Sequence, residues 1–265
     1  MTWAEHTVIR DGVRLSCRDT DGTGRPVVLL HGLAGHAGEW DALTARLSPR
    51  HRVVAVDQRG HGASERRPGD VSRAAYVADT ATVLETLDLR GAVLVGQSLG
   101  GHTAMLTAAT HPERVDALVL IEAGAAAASP NVQAEVSGWL DSWPCPFPSR
   151  EAAAVFLGGG PVGAGWAAGL EQRTDGWWPR FDRDLMVDSL AENARRAFWA
   201  EWARVACPTL VVLGQHGTVP PAELGEMLRL RPDTMASSMR GTGHDVHLEQ
   251  PEELARLLLD FLAAR

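Results

Sequence analysis

Two short segments contain residues that could carry out nucleophilic chemistry, and the first surrounds Ser98. This serine is the centre of the run Gly96-Gln97-Ser98-Leu99-Gly100, which follows the apolar run Ala92–Val95 and opens an Ala-rich stretch. A sharp strand-to-helix turn needs small residues around the central serine, because the backbone there is strained. The hydroxyl then lies at a helix N-terminus, where the dipole and the free N–H groups favour developing negative charge. The pattern predicts a nucleophilic serine.

The second segment surrounds His244, one of ten histidines in the chain. It lies between Gly243 and Asp245, after the run 234–239 and shortly before a final helical pattern that opens at Pro251. A serine hydroxyl is a weak nucleophile at neutral pH and needs an adjacent general base. A base for Ser98 is therefore expected among the histidines, and His244 is a candidate for it, whereas His247 is expected to be structural.

The elements that must position these residues follow from the apolar periodicity. Short, nearly continuous apolar runs are typical of strands buried on both faces of a parallel sheet. They occupy Val27–Leu30, Val53–Val56, Ala92–Val95, Ala117–Ile121 and Thr209–Leu213. Between and after them, Ser72–Leu87, Leu99–Thr110 and 251–262 have helical spacing. This alternation predicts an α/β fold, a mostly parallel sheet with helices on both faces.

The alternation stops between residues 123 and 206. This segment is rich in Ala, Gly and Pro and holds seven of the nine tryptophans. We interpret it as an inserted helical cap between two parts of one core, 1–122 and 207–265. Tryptophans there suggest a roof over an apolar substrate pocket; the alternative is that most of them form the small core of the cap. The tryptophans predicted to bind substrate are Trp139, Trp143, Trp166, Trp177 and Trp178, while Trp199 and Trp202 are expected to pack as a core pair.

The segments around Ser98 and His244, with His31-Gly32-Leu33 and Asp57–Ser64, resemble the α/β-hydrolase superfamily, in particular its small capped bacterial members. The resemblance covers nearly the whole chain and is specific in the core. It implies a Ser–His–acid triad with no cofactor, in which His244 is the general base that takes the proton of Ser98. It also implies an oxyanion hole made by the backbone N–H groups of Leu33 and Leu99. The His31 side chain and the segment Asp57–Ser64 are expected to be structural.

The triad acid is where this sequence departs from the commonest pattern of the superfamily. An Asp is expected in the loop after Val212-Leu213-Gly214, but Gly217 occupies that position. Glu122 closes the run Ala117–Ile121, 24 residues after Ser98 (122 − 98). Its position resembles that of the acid in certain haloalkane dehalogenases and zearalenone lactonases, so we predict that Glu122 orients His244. The alternatives are a structural Glu122 and a site that has lost its acid; Asp245 is expected to point away.

The resemblance implies hydrolysis of a carboxylic ester or lactone of a fairly apolar small molecule through an acyl-enzyme. Thioester hydrolysis or acyl transfer would use the same apparatus. A non-hydrolytic lyase or a ligand-binding protein on the same fold is the alternative from another class. An Asp in place of Ser98 would have indicated a dehalogenase or an epoxide hydrolase.

Composition and charge set the remaining expectations. The net charge is −8 and no cluster of positive residues is present, which argues against nucleic acid or an acidic membrane surface as a partner. Three widely spaced cysteines suggest neither a disulfide framework nor a metal site. The N-terminus lacks the pattern of a signal peptide, and no run has the length of a membrane span, so a cytoplasmic location is expected. A small-molecule substrate is the expected partner; the oligomeric state stays open.

Overall fold

The computed structural model describes residues 2–264. Its strands are β1 (Ala4–Arg10), β2 (Val13–Asp19), β3 (Arg25–Leu30), β4 (His51–Asp57), β5 (Ala92–Gln97), β6 (Val115–Ile121), β7 (Glu171–Arg173), β8 (Gly176–Trp178), β9 (Thr209–Gly214) and β10 (Met235–Met239). Its α-helices are α1 (Asp41–Leu47), α2 (Arg73–Thr86), α3 (Leu99–Thr110), α4 (Val132–Asp141), α5 (Arg150–Phe156), α6 (Gly160–Ala168), α7 (Arg183–Asp188), α8 (Ala191–Arg195), α9 (Trp199–Arg204), α10 (Pro221–Leu230), α11 (Val246–Glu249) and α12 (Pro251–Ala263). A short 3-10 helix covers Ala37–Trp40.

Eight of these strands form one sheet in the order β1-β2-β4-β3-β5-β6-β9-β10. The six strands from β4 to β10 pair in parallel, and β1 and β2 join them as an antiparallel extension at one edge. The predicted α/β fold with a mostly parallel sheet is confirmed. The edge hairpin of β1 and β2 was not predicted, because its strands lack a continuous apolar run.

The apolar runs form strands because helices cover both faces of the sheet. Along β3, Val27 and Leu29 face the side that α1 and α12 cover, while Val28 and Leu30 face the side that α2 and α3 cover. Successive side chains of a strand point to opposite faces, so a strand covered on both sides must be apolar at every position. The parallel arrangement also brings the carboxyl ends of β3, β5, β6 and β9 to one edge, where the site lies.

A segment of helices with one small hairpin lies between β6 and β9. Helices α4 to α7 and the β7–β8 hairpin pack around a core of their own that includes Leu140, Trp143, Phe147 and Met186, to which α8 contributes no buried residue. We call this segment the cap. The hairpin was not predicted, since its strands are three residues each, too short for a periodic signal.

The end of the predicted cap lies in the main core. The side chains of Phe198 and Trp202 are buried with residues of the sheet. The indole of Trp202 donates to the Met227 carbonyl at 2.9 Å, and Phe198 packs edge-on against His102, with ring centroids 4.2 Å apart. The predicted boundary at residue 206 is therefore corrected: the chain rejoins the core near Phe198. None of the described helices is both long and apolar enough to cross a bilayer.

Candidate active site

The turn at Ser98 has the strained geometry expected of an exposed nucleophile. Ser98 has φ 51° and ψ −119°, lies between β5 and α3, and its N–H donates to the Ile121 carbonyl at 2.9 Å. A Cβ on Gly96 would lie 2.3 Å from the Gly100 carbonyl oxygen, and one on Gly100 would lie 2.2 Å from that of Leu30. Only glycine fits at these two positions, because the start of α3 packs directly on neighbouring backbone.

Backbone donors for an oxyanion are present at the expected places. Leu99 is the first residue of α3, and Leu33 lies in the turn after β3. Among residues 2–264, no acceptor is found for the N–H of either residue, and both residues line the same cavity as Ser98. Free N–H groups of this kind can bind the negative charge of a tetrahedral intermediate.

The loop after β10 carries His244 to the mouth of the same cavity. The Gln97 side chain donates to the His244 carbonyl at 3.1 Å. The N–H of Gly243 donates to Glu249 at 2.8 Å. The His244 side chain is 35% exposed. It is therefore held by its backbone while the ring remains accessible to a substrate.

Glu122 lies beside His244 with its side chain fully buried. Its Oε2 is 3.3 Å from His244 Nδ1. The backbone N–H groups of Gly214 and Thr218 donate to Oε1 and Oε2 at 2.7 and 2.6 Å. Glu122 has φ 48°, an uncommon conformation for a residue other than glycine, so the backbone is strained at the end of β6 as well as at Ser98. Since Nδ1 faces the carboxylate, Nε2 is the ring nitrogen left for the proton of Ser98.

The Glu122 carboxylate fills the space in which an acid at position 217 would stand. A Cβ on Gly217 would lie 1.9 Å from Glu122 Oε1 and 2.4 Å from Oε2. The two possible sources of the acid therefore exclude one another sterically. This explains in physical terms why a chain with Glu122 has glycine at 217.

Hydrogen bonds to the carboxylate favour its charged form. Burial raises the pKa of Glu122, but the hydrogen bonds with His244 and from the N–H groups of Thr218 and Gly214 outweigh burial and hold this pKa below its usual value. Glu122 is therefore an anion at neutral pH, as an acid that stabilises an imidazolium must be.

Thr218 is a member of this network that the sequence analysis missed. Its hydroxyl lies 3.2 Å from Glu122 Oε2 and 3.1 Å from His244 Nδ1, so it bridges the two groups. The only signal for it was its place directly after Gly217, in the loop where an acid was expected. A threonine there has no chemical pattern that would single it out.

Two other histidines close to the site stabilise its loops. His31 accepts from the Gln58 N–H at 3.0 Å, and His61 accepts from the Ala34 N–H at 3.1 Å. Burial lowers the pKa of each ring to about 3, so both are neutral and can accept these bonds. Asp57 accepts from the Ala37 N–H at 2.7 Å. These contacts agree with the structural roles expected for His31 and for the Asp57–Ser64 segment.

The other residues weighed for catalysis point elsewhere. Asp245 accepts a hydrogen bond from the Trp166 indole at 3.3 Å and so faces the cap. His247 is buried, 3.3 Å from Glu39. Within residues 2–264, the group with metal-ligand spacing is His6, Asp19 and Asp21. His6 and Asp19 lie on β1 and β2, at the edge of the sheet opposite β10, and Asp21 follows β2. Asp19 pairs with Arg52 at 2.6 Å.

The cavity above Ser98 has a volume of about 600 Å³. Trp139 and Trp166 line it, with ring centroids 5.6 Å apart. Trp143, Trp177 and Trp178 do not, which corrects the prediction for these three: Trp143 is buried in the core of the cap, and the other two belong to β8. Sequence analysis also missed several polar lining residues, among them His102, Asn193 and Glu223. Helical spacing alone does not show which face of a cap helix turns toward the core.

The sequence of this chain is similar to those of known hydrolases. Residues 27–257 match the model of the Alpha/beta hydrolase family, and the chain belongs to this family. It is 31% identical over 258 residues to the sn-1-specific diacylglycerol lipase ABHD11 of Mus musculus, covering 92% of this chain and 83% of that protein. It is 28% identical over 257 residues to 2-(acetamidomethylene)succinate hydrolase of Mesorhizobium japonicum, covering 92% and 90%.

A solved structure has the same architecture over its whole length. The crystal structure of E-2-(acetamidomethylene)succinate hydrolase superposes with a TM-score of 0.90, covering 99% of this chain and 100% of that one, at 24% identity. At that identity the likeness establishes the fold alone. Family membership and fold together support a hydrolase.

Proposed function

We propose that this protein is a serine hydrolase that cleaves a carboxylic ester or lactone of a fairly apolar small molecule through an acyl-enzyme. One observation carries the proposal: Ser98, at a strained helix N-terminus, shares a cavity with His244, whose Nδ1 lies 3.3 Å from the buried Glu122 carboxylate. A nucleophile, a base and an orienting acid are the three parts that acyl transfer to serine requires.

Acylation would proceed as follows. Ser98 Oγ attacks the carbonyl carbon while His244 Nε2 takes the hydroxyl proton. The carbonyl oxygen becomes an oxyanion and accepts hydrogen bonds from the Leu33 and Leu99 N–H groups. The Glu122 anion stabilises the imidazolium. As the tetrahedral intermediate collapses, the bond to the alkoxy oxygen breaks and His244 returns its proton to that oxygen.

Deacylation would repeat these steps with water. His244 takes a proton from the water, the resulting hydroxide attacks the acyl carbon, and the proton passes to Ser98 Oγ as it leaves. The products are a carboxylic acid and an alcohol, or one hydroxy acid from a lactone. If another alcohol, a thiol or an amine replaces water, the same steps give acyl transfer.

The curated relatives leave the substrate open. Their names refer to a diacylglycerol in one case and to a succinate derivative in the other. A diacylglycerol carries ester bonds and an acetamido compound carries an amide bond, and the two molecules also differ in size and in charge. The apolar residues of the cavity, which include Val132, Val136, Trp139 and Leu190, favour a fairly apolar substrate.

Labelling with an active-site fluorophosphonate tests the proposal, since only an activated serine reacts with it. We expect stoichiometric labelling of Ser98, release of 4-nitrophenol from 4-nitrophenyl butyrate, and loss of both in Ser98→Ala. Ser64 is a buried serine at 3% exposure and serves as the control position, because Ser64→Ala should keep the label. Labelling on another serine, or none at all, would refute the assignment and favour a ligand-binding protein or a lyase.

A further inference from the structure

The charged side chains that line the catalytic cavity are all acidic. They belong to Glu122, Glu135, Glu223 and Asp245. Within residues 2–264, no arginine lines this cavity, and the chain contains no lysine. This asymmetry bears on the substrate, because partly buried charges on the wall of a cavity act through a medium of lower dielectric constant than water. Glu223 and Asp245 are partly buried, whereas Glu135 is exposed and its charge is screened by solvent.

Three of these carboxylates form no ion pair with any residue in the part of the chain that the structure describes. Glu135 accepts from the Ser129 hydroxyl at 3.2 Å, Glu223 from the Ala126 N–H at 2.8 Å, and Asp245 from the Trp166 indole at 3.3 Å. All three donors are neutral. Burial raises the pKa of Glu223 despite its backbone hydrogen bonds, as expected of a carboxylate that lacks a counter-ion.

Two arginines outside the lining, Arg73 and Arg196, act electrostatically on the lining residue His102, but neither forms an ion pair with the carboxylates of the cavity. Arg196 pairs with Glu192 at 2.9 Å and with Glu201 at 2.8 Å. Arg73 is buried outside the lining, 4.0 Å from the centroid of the Tyr76 ring, and its Nη1 donates to Thr103 at 3.4 Å.

His102 is a lining residue that feels the charge of both arginines. Burial, with the positive charges of Arg73 and Arg196, keeps the pKa of His102 well below its usual value, so its ring is neutral. Both of its nitrogens are buried without a hydrogen-bond partner. This ring can therefore exchange hydrogen bonds with an uncharged polar group, but it adds no positive charge to the cavity.

We infer that the substrate of this site is uncharged or cationic around its reacting carbonyl, and that the cavity selects against anionic acyl groups. The inference rests on the proposed ester hydrolysis for its chemistry. An anion that enters the cavity loses its hydration and meets three unpaired carboxylates, whereas an uncharged ester meets apolar side chains and neutral donors. The acidic wall also opposes rebinding of the carboxylate product.

A pair of esters that differ in one charge tests this inference. 4-Nitrophenyl hemisuccinate carries a terminal carboxylate, and its methyl ester has nearly the same shape without the charge. We expect kcat/KM for the anionic compound to be at least about tenfold lower than for the methyl ester, since like charges in a shared site repel. Equal rates, or faster turnover of the anionic compound, would overturn the inference.

Single substitutions locate the source of the discrimination. Glu135→Gln and Glu223→Gln should each bring kcat/KM for the anionic ester closer to kcat/KM for the methyl ester. Glu226→Gln is the matched control, because Glu226 lies one turn after Glu223 on α10, outside the cavity, where it pairs with Arg229. If the ratio of kcat/KM for the two esters changes as much in Glu226→Gln as in Glu223→Gln, the discrimination comes from net charge and not from the cavity wall. That result would contradict the inference.

Binding separates failure of this inference from failure of the proposed function. If neither ester is hydrolysed and the fluorophosphonate does not label Ser98, the proposed function is wrong. The dissociation constants of both esters for the Ser98→Ala variant then decide the inference. Titration followed by tryptophan fluorescence is suitable, since Trp139 and Trp166 line the cavity. Weaker binding of the anionic ester supports the selection against anions; equal or tighter binding refutes it.

Discussion

Replacing Glu122 by glutamine removes one charge from the site and keeps the shape of the side chain. The carboxylate accepts from Thr218 N–H and hydroxyl and faces His244 Nδ1 through Oε2, whereas Oε1 accepts from Gly214 N–H alone. The amide oxygen of glutamine should therefore face Thr218 and His244. Its NH₂ group then faces the N–H of Gly214, so one buried donor loses its acceptor.

The expected loss of activity follows from the distance between the two groups. An imidazolium and a carboxylate about 4 Å apart attract by about 4 kcal/mol at an effective dielectric constant of about 20. Each ~1.4 kcal/mol corresponds to a factor of about ten in rate. His244 is 35% exposed, so solvent screens part of this attraction. We expect kcat to fall about 10²- to 10³-fold in Glu122→Gln, with KM little changed.

The assay compares kcat for 4-nitrophenyl butyrate in the wild type and the variant, after circular dichroism shows that both are folded. The unpaired N–H of Gly214 should lower the free energy of unfolding by about 1–3 kcal/mol, so rates are measured well below the melting temperature. A folded Glu122→Gln protein with wild-type kcat would show that Glu122 is structural and that the reasoning is wrong.

A second variant tests whether position 217 can supply the acid instead. Because a Cβ at 217 would collide with the Glu122 carboxylate, the rescue needs a short side chain at 122. The backbone at Gly217 lies outside the left-handed region, so an aspartate there causes no φ strain. We expect Glu122→Ala/Gly217→Asp to recover at least about tenfold in kcat over Glu122→Ala. The single variant Gly217→Asp, with both acids in one space, should lose stability.

Two further predictions concern single residues. Thr218→Val removes the hydroxyl that bridges Glu122 and His244 but keeps the backbone N–H donor to Glu122. We expect kcat to fall about tenfold with KM unchanged. An unchanged kcat would show that Thr218 does not position His244. Burial raises the pKa of Glu39 from 4.5 to about 7, so its contribution to stability is full below about pH 4.5 and is lost as pH rises through 7. In urea unfolding, Glu39→Gln should therefore gain stability relative to the wild type between pH 5 and pH 8; parallel curves would refute this.

Much of the fold, and the strained turn at Ser98, could be predicted from local sequence. Each buried strand must be apolar along its whole length, and α3 begins at Leu99 as the pattern predicts, because the turn at Ser98 needs glycines at close backbone contacts. Both signals depend only on residues that are close together in the sequence. The antiparallel edge hairpin and the short β7–β8 hairpin carry weaker patterns and were missed.

The composition of the site depended on contacts between residues far apart in the chain. Glu122, Thr218 and His244 come from three segments, and the sequence offered Glu122 as a candidate without showing that it reaches His244. The tryptophans of the cap looked alike in sequence, yet Trp139 and Trp166 face the cavity, whereas Trp143 is buried in the cap.

What the sequence by itself determined is therefore the architecture, the strained serine and a short list of partners for it. Only the tertiary structure decided which acid stands beside the base and which charges line the cavity. The physical reason is the distance along the chain over which each signal acts. Periodicity and turn chemistry depend on residues that are neighbours in the sequence. The contact between Glu122 and His244 joins residues 122 positions apart, which only tertiary packing brings together.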